Sequence, residues 1–348
     1  MSITSILWKN SDKIIQSFHI SIIFGLLETW KRTNILNTVP QEPDFVASLT
    51  LDTTPLIYSV LKKILLEEQI NVSISSVFCH QTPKVMFDTN HKSKCEIGDI
   101  LFVYVHTTKK GETRRNAILF QAKSSSKQPY RIHSSDSHQL NLYINWPDFI
   151  YISPYFLKGK KRNVFPKSPH SGAQYLLIDN RSPNEPLSGL LGFPGTYPIG
   201  CCIPDKFLWD HNNLASELFN LLIFKTGRPF GERTSSLKSG GWSQIIWVLL
   251  EIGLKKSFNR KVSGRHNSPR TIGDNVKNWD GISFNDTTST ISCSMVKKII
   301  GYDKSRYFYG KGGDEIPPFR EENIDYFNVE EGGVSVILIE TNESEFKD

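Results

Sequence analysis

The stretch CEIGDILFVYVH (residues 95–106), with KKGETRR (109–115) and RNAILFQAK (115–123) behind it, decides how this chain reads. The first segment is a near-continuous apolar run with an acidic entrance, the pattern of a strand buried on both faces. The second is a polar turn around Gly111, and the third a further strand that closes on Gln121 and Lys123. Side chains two apart on a strand share a face, so Gln121 and Lys123 point the same way, alongside Ala117 and Leu119. If the two strands pair through the turn, Asp99 comes near both. Glu96 stands three residues before Asp99, at the same entrance.

Outward from this hairpin, residues 1–33 read as helical and 34–55 as a connector punctuated by Pro40, Pro43 and Pro55. Leu56, Ile57, Val60, Leu61, Ile64 and Leu65 then recur at helical spacing, with Pro55 in the first turn. VSISSVFC (72–79) is a strand rich in β-branched residues. Asp136 to Asn145 is a helix with Asp136 as its N-cap. DFIYIS (148–153), opened by Pro147, is another strand. The order helix, strand, strand, strand, helix, strand indicates an α/β core, a mixed sheet flanked by helices. Later come a helix at 214–224, a buried helix at 243–256 with Trp242 and Trp247 as core residues, and a strand at 333–340. We divide the chain into an N-terminal helical segment (1–40), a core (41–160) and a C-terminal α/β accessory portion (161–348). The basic loop 158–172 marks the soft boundary, and 257–275 is expected to be mobile.

The 348 residues are 39% hydrophobic and 22% charged, enough for a packed core and unlike a disordered chain. The five cysteines form no CxxC pair, which argues against a disulfide framework and a structural zinc site, and favours reduced thiols in the cytoplasm. Phe18 to Leu27 is only about half a membrane span and contains His19, so neither a membrane segment nor a signal peptide is expected. The net charge of +6 hides an uneven distribution. Lys109, Lys110, Arg114, Arg115, Lys123, Lys127 and Arg131 face Glu112 alone within 101–135. Lys158, Lys160, Lys161, Arg162 and Lys167 form a second basic segment, and 254–277 a third, while the tail from Gly313 is acidic. Such segments suit a phosphate backbone.

Asp99, Gln121 and Lys123 together suit phosphodiester hydrolysis. Mg²⁺ takes hard oxygen ligands and keeps several waters. Asp99 offers a carboxylate, Gln121 an amide oxygen and Ala122 its carbonyl. Lys123 can orient the attacking water and stabilise charge on the phosphate. Cys79, His80 and Gln81, ending the first core strand, can face the same place. The glycine-rich KGGDE (311–315) lacks a following GK[ST] and is no phosphate loop.

Gly98-Asp99 with Gln121-Ala122-Lys123 resembles the PD-(D/E)xK nuclease superfamily, in the QxK variant of Mrr-like restriction enzymes. Gln139-Leu-Asn-Leu-Tyr143 is similar to the Q-xxx-Y helix of RecB-type members. The likeness covers roughly residues 40–153. It implies a restriction-endonuclease-like αβββαβ core and Mg²⁺-dependent DNA cleavage, with Mn²⁺ as a substitute. It also implies a role in restriction or anti-phage defence, and a homo-oligomer or a second defence-system subunit as partner. The expected catalytic set is Asp99, Gln121, Lys123 and Glu96. A further acid is expected on the first core helix, with Glu42 favoured over Asp44, Glu67 and Glu68; Asp99, Gln121 and Glu42 would then hold the metal. Gln139, Tyr143, Lys109, Lys110, Arg114, Arg115, Lys160, Lys161 and Arg162 are the expected DNA contacts. Because Gln121 replaces a carboxylate, the alternative is a catalytically weak nuclease-like protein that binds nucleic acid or scaffolds a complex. A third option, an α/β enzyme acting on a small phosphorylated molecule, fits the spread of basic segments less well.

Overall fold

The computed structural model describes residues 2–35, 37–79, 83–87, 93–152, 158–165, 167, 171–181, 197–233, 241–259, 281–285 and 333–343. Four helices lead: α1 (Ile3–Lys9), α2 (Ser11–Ile35), α3 (Glu42–Leu51) and α4 (Thr53–Leu66). Strands β1 (Ile70–Val77), β2 (Lys84–Met86), β3 (Lys94–Glu96), β4 (Ile100–Thr107), β5 (Thr113–Ser124) and β6 (Tyr130–Arg131) follow. A 3₁₀ turn at Ser134–Asp136 opens α5 (Ser137–Asn145), and β7 (Phe149–Tyr151), β8 (Lys161–Arg162) and β9 (Ala173–Ile178) come next. The remainder is β10 (Ile199–Cys202), β11 (Phe207–Leu208), β12 (Asn212–Asn213), α6 (Leu214–Leu222), β13 (Arg228–Pro229), α7 (Trp242–Asn259), β14 (Gly281–Asn285) and β15 (Ser335–Glu343).

The architecture is mixed α/β. The main sheet runs β12-β10-β9-β5-β4-β15-β1-β14, with β13 also on β5. The β5–β9 and β4–β15 pairs are parallel, and β4–β5 is the expected antiparallel hairpin. Along β4, Leu101, Val103 and Val105 enter one apolar cluster, while Ile100, Phe102 and Tyr104 enter the other. The first cluster lies under α5 and α7, and the second under α1–α4 and α6. A strand with cover on both faces needs apolar residues at every position, which is why 100–105 reads as a continuous run.

Four expectations are corrected. The 95–106 run is not one strand: β3 ends at Glu96, the chain bends through Ile97–Asp99, and β4 begins at Ile100. The 34–55 connector contains α3, because Pro43 sits in that helix's first turn, where a missing N–H costs nothing. The Gln41 amide also donates to the Asp44 carboxylate at 2.8 Å. The 148–153 strand does not join the core sheet. Its β7 pairs with β2 and β8 in a separate sheet ordered β3-β2-β7-β8, and the fully buried β9 takes the place beside β5. Finally, β15 inserts between β1 and β4, so the sheet crosses the boundary drawn at residue 160. The helices at 214–224 and 243–256 are present as α6 and α7, with Trp242 and Trp247 buried. KGGDE, most of the expected mobile loop and much of the third basic segment lie outside the described residues.

Candidate active site

The register sets the site. Ile100 pairs with Phe120, so Asp99 stands just beyond the last rung and faces the β5 exit. Its amide donates to the Phe120 carbonyl at 2.9 Å, and its carbonyl accepts from the Ser335 amide at 2.9 Å. Its carboxylate accepts the Ala122 amide at 2.7 Å. Backbone from both neighbouring strands therefore fixes Asp99. The preceding bend needs Gly98, where a Cβ would lie 2.8 Å from both the Leu119 side chain and the Tyr143 hydroxyl.

A cavity of about 460 Å³ opens at this end of the sheet. Glu42, Glu96, Asp99, Gln121, Lys123 and Gln139 line it, together with Asp136, Lys84, Lys94 and Cys79. Glu42 comes from the start of α3, and its carboxylate accepts the Ser124 amide at 3.1 Å. Of the four acids considered for the helix, it is the one the fold brings here. Asp44 is buried and spent on its own helix start, while Glu67 closes α4 away from the cavity.

Four carboxylates line this cavity, and burial and crowding act on them. Asp99 is pushed well above the usual carboxylate range, by burial first and then by Glu96 and Glu42. Burial raises Glu42, and Asp136 and Glu96 add repulsion against the opposing pull of Lys123. Glu96 is raised by burial too, with Lys84 and Lys123 opposing. Burial alone would lower Lys123, yet Glu42, Asp136 and Asp99 outweigh it and raise its pKa. Lys123 is therefore held as an ammonium, 2.9 Å from the Asp136 carboxylate.

The α5 helix supports the site from one side. The Gln139 amide donates to the Gln121 side-chain oxygen and, at 3.3 Å, to the Glu96 carbonyl. The Tyr143 hydroxyl donates to the Ile97 carbonyl at 2.9 Å, bracing the bend before Asp99. Tyr143 is only 1% exposed, so the expectation that it touches DNA is corrected: it is a strut. Trp146 ends α5 in the left-handed region (φ 41°). That conformation costs about 1–2 kcal/mol. Its ring is buried, stacked on Tyr143 at 6.0 Å and edge-on to Trp242 at 5.7 Å.

The expected DNA-contact cations divide. Lys109, Lys110, Arg114 and Arg115 surround the far turn of the hairpin, the length of β4 or about 25 Å from Asp99. Arg114 stacks on Phe224 at 3.9 Å and Arg115 meets Glu232 at 3.2 Å. Arg162 is buried, with its guanidinium over Tyr151. Lys160 and Lys161 are exposed, and Lys161 pairs with Asp148 at 3.0 Å. None of these lines the cavity, so they are corrected as contacts to a phosphate bound there.

Sequence reasoning missed Asp136, Lys84 and Lys94 as cavity residues. Asp136 occupies the expected N-cap position but makes no capping bond; its carboxylate turns to Lys123 instead. Nothing in the spacing marks that choice, and Lys84 and Lys94 belong to no motif. Cys79 lines the cavity, whereas His80 and Gln81 lie outside the described residues.

Glu42, Glu96, Asp99 and the Gln121 amide supply hard oxygen donors of the kind Mg²⁺ takes. Among the described residues, no three His, Cys, Asp or Glu side chains already stand in ion-binding geometry. Mg²⁺ is ordinarily held by one or two carboxylates with waters completing its shell, and the donor set fits that mode. No family model, curated protein or solved structure matches the chain.

Proposed function

We propose that the chain is a metal-dependent DNA endonuclease of the PD-(D/E)xK kind, built on a restriction-endonuclease-like core and acting in restriction or anti-phage defence. The observation that carries this reading is the meeting of Glu42, Glu96, Asp99, Gln121 and Lys123 in one cavity. Asp99 with Glu42 or Glu96, and the Gln121 oxygen, would hold Mg²⁺ or Mn²⁺. The ion would supply Lewis-acid stabilisation of charge on the phosphate and a more acidic water. Lys123, kept charged by its acidic neighbours, orients a phosphate oxygen and offsets negative charge building on it. Gln139 holds the Gln121 amide in one orientation, and the Ala122 amide does the same for Asp99.

The test is cleavage of supercoiled plasmid in Mg²⁺ or Mn²⁺. Wild type nicks or linearises it, and Asp99→Ala and Lys123→Ala do not; retained cleavage in both variants removes the assignment. A second reading rests on a separate observation. The Gln121 oxygen already accepts from Gln139, and Lys123 is already paired with Asp136. A site so satisfied suits a catalytically weak nucleic-acid-binding subunit. Absent Mg²⁺ binding, with DNA affinity falling steeply as salt rises, favours it.

A further inference from the structure

The chain leaves the site at Lys123, forms β6, and returns at Asp136, whose carboxylate lies 2.9 Å from the Lys123 ammonium. This loop is thus tied off at the site by its own ends. Arg131 is five residues from Asp136, so the two Cα atoms lie within about 18 Å of each other. β6 does not lie bare. It pairs with β11, Arg131 opposite Phe207 and Tyr130 opposite Leu208, and the Ile132 amide closes the ribbon on the Lys206 carbonyl at 2.9 Å.

The two faces of this ribbon differ. Leu208 is buried in the core, and Tyr130 packs against the same cluster, close enough to feel Lys123, Glu42 and Asp136. Phe207, on the other face, is 45% exposed, and Trp209, just past the end of β11, is 59% exposed. Arg131, exposed, stands across from Phe207. Lys206 and Lys127 add exposed cations near by, with Asp205 as the exposed acid among them. Aromatic rings open to solvent, set among cations and beside a phosphodiester-binding cavity, match one partner's chemistry. Single-stranded nucleic acid offers π-faces for the rings and phosphates for the cations. A duplex hides its base faces in the stack.

We infer that the β6–β11 ribbon is a stacking platform for single-stranded DNA, on which bases seat against Trp209 and Phe207 while the strand runs into the cavity. The inference rests on the nuclease reading and narrows its substrate to single-stranded or locally opened DNA.

Binding measured in EDTA separates this platform from catalysis. Fluorescence anisotropy of the full chain is read with a labelled single-stranded deoxyoligonucleotide, its duplex, and an abasic strand of equal length. Trp209→Ala and Phe207→Ala should each weaken the single strand roughly 10-fold, leaving the duplex and the abasic strand unchanged. Trp209→Phe, which keeps a ring, should retain most of the affinity, and unchanged melting temperatures would show that the fold is intact. Equal affinity of wild type and Trp209→Ala for the single strand overturns the platform, as does an abasic strand bound as tightly as the normal one. Tighter binding of duplex than of single strand also overturns it. If the stacking effect appears but wild type never cleaves in Mg²⁺, the nuclease reading fails and the platform stands. If cleavage needs Asp99 but Trp209 is indifferent, the reverse holds.

Discussion

At the turn end of the β4–β5 hairpin, several polar and charged groups are paired. His106 meets the Thr341 hydroxyl at 2.9 Å and the Glu343 carboxylate at 3.4 Å, and Tyr104 shares the same hydroxyl at 2.9 Å. Arg114 lies on the Phe224 ring and Arg115 on Glu232. At the opposite end of the same two strands, Glu42, Glu96 and Asp99 crowd one cavity; burial pushes all three upward, and neighbouring carboxylates add to the rise at Asp99 and Glu42. One end is organised to be stable; the other holds a repulsion that a divalent cation would relieve. Strained electrostatics gathered in a cavity are the usual mark of a working site, and matched pairs the mark of structure.

The largest expected break in this contrast is functional. Asp99→Ala and Lys123→Ala should each lower metal-dependent DNA cleavage by at least about 100-fold. Thr341→Val at the other end should leave the cleavage rate within about 2-fold while lowering the melting temperature, because it strands Tyr104 and His106. Next in size is Gly98→Ala. The added methyl meets Leu119 and the Tyr143 hydroxyl, so stability measured by urea unfolding should fall by about 1–3 kcal/mol. Smaller and opposite in sign is Asp99→Asn. It keeps an acceptor for the Ala122 amide but removes a buried carboxyl crowded by Glu96 and Glu42, so in metal-free buffer its melting temperature should rise by about 2–4 °C.

The smallest effect concerns pH. Burial is the largest influence on His106 and lowers its pKa below 6.5, against the opposing pull of Glu343. The unfolded chain then binds a proton before the folded one does. Stability from this group is full above about pH 6.5 and declines as pH falls toward the folded pKa. His106→Gln should flatten that part of the stability curve in unfolding measured at several pH values.

Much of this contrast was legible in the residues. The β4–β5 hairpin and the approach of Asp99 to Gln121 and Lys123 follow from strand period and a single turn. Contacts local in sequence carry such information. What was hidden is long-range. That β15 slides between β4 and β1 depends on strands more than 200 residues apart, and nothing in 333–340 names its neighbours. The placing of β9 rather than β7 beside β5 is a choice between two short apolar strands, decided by which one is covered on both faces. Asp136 read as a helix cap because cap and ion-pair partner demand the same residue type. The basic clusters misled for a related reason: charge in sequence has no direction, and Arg114, Arg115 and Arg162 turned to Phe224, Glu232 and Tyr151 instead.

The crowding of carboxylates around Asp99 is the centre of the account, and calorimetric titration of the metal-free protein with Mn²⁺ addresses it most directly. Wild type should bind the ion at this site, Asp99→Asn should lose at least about 10-fold in affinity, and Glu343→Gln at the far end of the sheet should bind as wild type does. Equal Mn²⁺ affinity in wild type and Asp99→Asn, or no binding by either, would contradict it.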